Sequence, residues 1–141
     1  MFKKILVGLD GSDGSWKALR AALALAKLGR GSEVWALSVE ERLPHMPELI
    51  DELAEEKERQ NAIFSRLHQE VHNLAAEEGV PLSVEKLIGH AAQGIVKYAE
   101  KGQFDLLVIG HSGRSGVWGT FLGSTAEKIV RHAHCDVLVV R

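Results

Sequence analysis

Between Gly110 and Gly123, fourteen positions hold five of the chain's 14 glycines: Gly110, Gly113, Gly116, Gly119 and Gly123. Without a Cβ, such a segment lets backbone N–H groups come close to an anion. It closes on Gly123-Ser124-Thr125, and apolar residues of helical period follow at Ala126, Ile129, Val130 and Ala133. A helix start offers unpaired N–H groups and a partial positive charge, which suits a phosphate. Ser124 and Thr125 add hydroxyl donors, and Arg114 is the loop's one guanidinium. Far away in sequence, Asp10 ends the apolar run Ile5-Leu6-Val7-Gly8-Leu9 and is followed by Gly11-Ser12. If the strands that end there and at Gly110 are neighbours, a carboxylate faces the glycine loop across one crevice.

Plainer readings of the same residues exist. Ser124 with Glu127 spells an S-x-x-E capping box, worth about 1 kcal/mol to the helix without any ligand. The glycines can also serve only to shape a long loop, although loops of this length in small domains are usually functional or disordered. Three standard motifs are excluded. No lysine precedes Ser124, so G-x-x-x-x-G-K-[ST] is absent; G-x-G-x-x-G fails because Val34 stands where its last glycine belongs after Gly29 and Gly31. In Gly110-His111-Ser112-Gly113-Arg114, arginine replaces the final glycine of G-x-S-x-G.

Other reactive side chains read more simply. His68 and His72 have the i, i+4 spacing of helical metal ligands, but Gln69 stands where H-E-x-x-H needs its glutamate, and a solvated helix face accounts for them. His132, His134 and Cys135 cluster where the last helix ends, a place where histidines oppose the negative helix terminus; metal binding or redox sensing is the alternative there. Trp16 and Trp35 read as packing residues. Trp118, between Gly116 and Gly119, has three readings: a cap on the loop, a partner contact, or a fold-back onto the next helix.

The elements that must position these residues alternate regularly. Ile5–Leu9, Val34–Val39, Leu82–Ile88, Asp105–Ile109 and Val137–Val140 read as strands. Between them, helical patterns run through Leu19, Ala22, Leu23 and Ala26, then over 48–78, then through Ala92, Ile95, Val96 and Ala99, and last from Ala126 to Ala133. The prolines of Leu43-Pro44-His45-Met46-Pro47 break the chain before the long, charged second helix. Strands separated by helices predict an α/β fold: an open parallel sheet with helices on both faces. In such sheets ligands bind beyond the carboxyl ends of the strands, where strand order reverses.

Composition sets the outer bounds. At 141 residues, with 45% hydrophobic and 26% charged, the chain is expected to form one domain over 1–141 with a core of its own. Its 17 basic and 19 acidic residues give a net charge of −2. That balance gives no support to a nucleic-acid partner or an acidic membrane surface. A single cysteine forms no internal disulfide, and no apolar stretch approaches a membrane span, so a soluble cytoplasmic protein is expected.

Gly110-x2-Gly113-x9-Gly123-Ser124 fits the G-x2-G-x9-G-[ST] signature of the universal stress protein family. The segments Met1–Ser12, Phe104–Gly110 and His134–Val140 also resemble that family's first, fourth and last strands, so the resemblance runs essentially end to end, loosening between Leu43 and Glu78. It implies a Rossmann-like five-stranded sheet of order 3-2-1-4-5 that binds an adenine nucleotide, with ATP expected where the signature is present and AMP or ADP as alternatives. Carried over, Asp10 and the backbone near Leu9 and Val39 would hold the adenine and ribose. Gly110, His111 and Gly113 would lie along the ribose and first phosphate, and Gly123, Ser124 and Thr125 would take the outer phosphates. Mg²⁺ would ride mainly on phosphate oxygens. Three positions depart from the family pattern: the order His111-Ser112, Gly89-His90-Ala91, and Asp136 where proline is common.

The resemblance also implies a homodimer through the last strand. Val137, Leu138, Val139 and Val140 at a sheet edge would expose backbone groups that a two-fold mate satisfies. The expected function is a nucleotide-binding regulatory module of the stress response. The alternatives are a slow ATPase and a ligand-free dimeric interaction module. For hydrolysis the chain offers Ser124, Thr125 and Arg114 but no Walker lysine, and the resemblance places Asp10 at the far end of the nucleotide.

Overall fold

Ile5, Leu6 and Val7 are all fully buried, as a strand with helices on both faces requires. The computed structural model describes residues 2–41, 50–112 and 122–141. Its elements run β1 (Lys4–Gly8), α1 (Asp13–Leu28), β2 (Glu33–Glu40), α2 (Ile50–Glu78), β3 (Leu82–Ile88), α3 (Ala91–Lys101), β4 (Leu106–Gly110), α4 (Ser124–His132) and β5 (Asp136–Val140). The five strands form one sheet in the order β3-β2-β1-β4-β5, and every pairing is parallel. The expected α/β architecture and strand order are both present.

Alternation along the strands divides the core in two. Ile5, Val7, Val34, Ala36, Leu106 and Val108 face Ala18, Leu19, Ala22 and Leu23 of α1 and Val71 of α2. Leu6, Leu37, Leu107 and Ile109 face Ile95 and Ala99 of α3 and Ala126 and Ile129 of α4. Each helix supplies an apolar stripe at spacings of three and four, so burial of the stripe fixes the helix orientation. Along α2 that stripe is confined to the second half, where Val71 and Ala75 are buried; residues 54–59 are exposed.

The strand order places the switch point between β1 and β4. From β1 the chain crosses by α1 to β2 on one side, while β4 lies on the other. Because all strands are parallel, α1, α3 and α4 begin at the same edge of the sheet, the carboxyl edge. No helix among the described residues is long and apolar enough to cross a membrane.

Candidate functional site

The register Val7↔Val108 brings the carboxyl ends of β1 and β4 level. Leu9 is buried and leaves the sheet with its N–H donating to Leu37 O at 2.9 Å. The chain turns at once. Asp10 Oδ1 accepts from Ser12 N at 2.8 Å, Ser12 Oγ accepts from Ser15 N at 3.2 Å, and Ser15 Oγ donates to Ser12 O at 2.8 Å. Ser12 is therefore the N-cap of α1, and Asp10 is held by its own turn at the solvent edge.

The turn packs on the end of β4 backbone to backbone. A Cβ on Gly110 would lie 2.8 Å from Gly14 C and 2.9 Å from Gly14 O, and one on Gly14 would lie 2.8 Å from Ser112 O. Only glycine at both positions allows this approach. His111 then joins two elements through its backbone: its N–H donates to Val140 O at 2.8 Å, and its carbonyl accepts from Gly123 N at 2.9 Å. A continuous set of contacts thus runs from Asp10 through Gly14, Gly110 and His111 to Gly123, at the start of α4.

The starts of α1, α3 and α4 at this edge differ electrostatically. That of α1 is capped by Ser12 and followed by Asp13. That of α3 is capped from a distance, with Ala91 N donating to Glu41 Oε1 at 3.0 Å. That of α4 has Gly123 as N-cap and no side-chain cap bond. The capping box expected from Ser124 and Glu127 does not form. Gly123 already closes the first turn by accepting from Glu127 N at 2.8 Å, which moves Ser124 one residue into the helix. Glu127 pairs instead with Arg131 at 2.8 Å. Among the described residues, α4 therefore keeps its first N–H groups and the exposed Ser124 and Thr125 hydroxyls available to an anion.

Of the residues singled out in the sequence, Leu9, Asp10, Gly110, His111, Gly123, Ser124 and Thr125 gather at the carboxyl edges of β1 and β4 and the start of α4. Val39 stands at the same edge on β2, paired with Leu87, its methyls facing Gly94 of α3. Gly113, Arg114 and Trp118 lie outside the described residues. Gly14, Ser12 and Glu41 were not singled out. The pattern Asp-x-Ser-x-x-Ser at 10–15 signals the first turn and its cap; the contacts of Gly14 with Gly110 and of Glu41 with Ala91 join residues far apart in sequence and leave no local signal. Trp16 is half-buried against the core, and Trp35 meets Phe104 edge-on at 5.8 Å, so both are packing residues.

At the far end of the β4–β5 side, His134 Nε2 lies 3.5 Å from Glu100 Oε2. Cys135 is half-buried. Its thiol is pushed above the ordinary cysteine range by desolvation first and by the Asp136 and Asp105 carboxylates second, against two backbone hydrogen bonds that lower it. A thiol held protonated is a poor nucleophile.

Comparison with known proteins agrees with this geometry. The family model "Universal stress protein family" matches residues 1–141. Universal stress protein MJ0531 of Methanocaldococcus jannaschii is 39% identical, covering 100% of this chain and 83% of its own length. The solved structure of universal stress protein UspA from Lactobacillus plantarum superposes with a TM-score of 0.90 at 28% identity, covering 99% of this chain and 98% of that one. A universal stress protein solved in complex with cAMP superposes with a TM-score of 0.74 at 26% identity, covering 99% of this chain and 97% of that one.

Proposed function

Because the chain belongs to the universal stress protein family, we propose that it is an adenine-nucleotide-binding regulatory protein of the stress response, with ATP as the favoured ligand. The observation that carries the reading is the asymmetry of the helix starts. Compared with the starts of α1 and α3, that of α4 lacks, among the described residues, a protein side chain on its first N–H groups. A phosphate tail has its best electrostatic seat there, with hydroxyl donors from Ser124 and Thr125. At α3, Glu41 repels it. The base and ribose then extend toward Asp10, Leu9 and Val39, with Gly110 and His111 beneath them; Gly113 and Arg114, outside the described residues, are ligand candidates on the sequence alone. A relative in complex with cAMP supports the ligand class.

In this arrangement Asp10 has a defined task. One carboxylate oxygen is used by Ser12 N, which holds the other where a ribose hydroxyl or an adenine amino group can donate to it. Any Mg²⁺ would be held mainly by phosphate oxygens, with Glu127, the acidic residue in the first turn of α4, paired with Arg131. The protein acts as a homodimer through Val137, Leu138, Val139 and Val140. β5 is the outer strand of the sheet. Leu138, on that strand, is 37% exposed, an apolar side chain that a second copy would cover.

Calorimetric titration with ATP, ADP and AMP tests the reading. Asp10→Asn keeps the acceptor for Ser12 N, so the melting temperature holds, while affinity falls by at least about tenfold through loss of a charge-assisted hydrogen bond. No binding of any of the three at millimolar concentration refutes the proposal.

A further inference from the structure

Away from the crevice, one pair of metal-ligating side chains stands in ring contact. His68 and His72 lie four residues apart on α2, with ring centroids 4.5 Å apart and planes tilted by 33°. One turn earlier, Phe64 meets His68 edge-on at 5.7 Å and 85°. Phe64 is itself braced from β3, where Lys86 Nζ stands 5.3 Å from its ring centroid. That ammonium is anchored by Glu40 at 3.1 Å and Asn61 Oδ1 at 3.3 Å. Val71 and Ala75 bury the same stretch of helix against the sheet. His68 is thus held between two rings on a docked turn, and His72 is exposed beside it.

We propose that His68 and His72 form a bis-imidazole site for a borderline divalent transition cation, Cu²⁺, Ni²⁺ or Zn²⁺, separate from the nucleotide crevice. Imidazole is the ligand these cations share, and the i, i+4 spacing puts both rings on one helix face. Two nitrogens bound to one cation at roughly 2.0–2.1 Å stand about 3 Å apart. Rings whose centroids are 4.5 Å apart reach that spacing by small side-chain rotations. Among the described residues no group of three or more His, Cys, Asp or Glu is placed to hold an ion. The remaining positions therefore go to water, which makes an open, exchangeable site rather than a closed structural zinc. Affinity follows the order in which Cu²⁺ binds most tightly. Mg²⁺, which demands oxygen ligands, does not compete. The unfolded chain does not hold the pair in register, so bound cation stabilises the fold by mass action.

The full chain titrated with CuCl2, NiCl2, ZnCl2 and MgCl2 tests this, read by thermal unfolding and, for Cu²⁺, by electron paramagnetic resonance of the nitrogen ligands. The transition cations raise the melting temperature, Mg²⁺ does not, and the Cu²⁺ spectrum carries two nitrogens. His68→Ala and His72→Ala each weaken binding by at least about tenfold, the low end of the loss seen even for outer-shell partners, with unchanged far-UV circular dichroism. A double variant at His132 and His134 binds as the wild type does. Cu²⁺ binding that survives either single variant, or that disappears in the His132/His134 variant instead, overturns the proposal.

Discussion

Replacing Gly110 with alanine tests the frame on which the whole crevice is built. The new Cβ would stand 2.8 Å from Gly14 C, 2.9 Å from its O and 3.1 Å from its Cα. Non-bonded carbons settle at about 3.5–4.0 Å, so the first turn of α1 must retreat by roughly 0.7 Å or more. All three opposing atoms are backbone, and no side-chain rotation relieves the contact. Overpacking of this kind costs about 1–3 kcal/mol. Unfolding entropy near 2.1 cal/mol/K per residue, over 141 residues, converts each kcal/mol into about 3.4 °C, so the melting temperature falls by roughly 3–10 °C. Nucleotide affinity falls as well, because the displaced turn carries Asp10. Gly94→Ala is the matched control. Its Cβ would meet Leu87 and Val39 at 3.9 Å, an ordinary contact inside α3. There, alanine in place of glycine stabilises by about 0.5–1 kcal/mol, a rise of about 2–3 °C. Differential scanning calorimetry with isothermal titration reads both variants. A Gly110→Ala protein that melts with the wild type refutes the close approach and the argument built on it.

Two further outcomes follow from the same geometry. Ser124→Asp places a carboxylate at the open start of α4, which stabilises the helix by about 0.3–1 kcal/mol. It also repels a phosphate, so melting temperature rises while ATP affinity falls; if stability and affinity move together, the seat assigned to the phosphates is wrong. Cys135 reacts with iodoacetamide more slowly than a free cysteine at pH 8, with a midpoint above the ordinary thiol range that Asp136→Asn lowers. The sign for stability is set by the same shift: as pH rises through the unfolded thiol's value toward the folded one, the unfolded chain sheds its proton first and stability falls.

Local pattern carried the strands and helices well, for a physical reason. Ile5-Leu6-Val7 and Leu106–Ile109 are apolar without alternation because both faces of β1 and β4 are covered, and that signature survives in a short window. The start of α4 was misread by one residue. Ser124-x-x-Glu127 satisfies the local grammar of a cap, but the decision is made at Gly123, whose N–H is held by His111 O. The cap on α3 reaches from Glu41 to Ala91, fifty residues away. The Gly14–Gly110 contact joins opposite halves of the chain. Such choices belong to tertiary structure, and spacing along the sequence does not record them. Strand order, by contrast, came from likeness to a family rather than from the periodicity of these residues.

His111 answers to two masters. One side of its backbone is fastened to the last residue of the outermost strand, the other to the threshold of the final helix. A second subunit that clamps that strand also stiffens the rim against which a triphosphate would rest, and a ligand that tightens the rim steadies the strand for its mate. If the chain pairs through that strand and binds a nucleotide at that rim, reciprocity of linked equilibria makes assembly and ligation favour one another with equal strength in both directions. The relay is a single residue, through the peptide groups on either side of it, and no distant wire through the core is required.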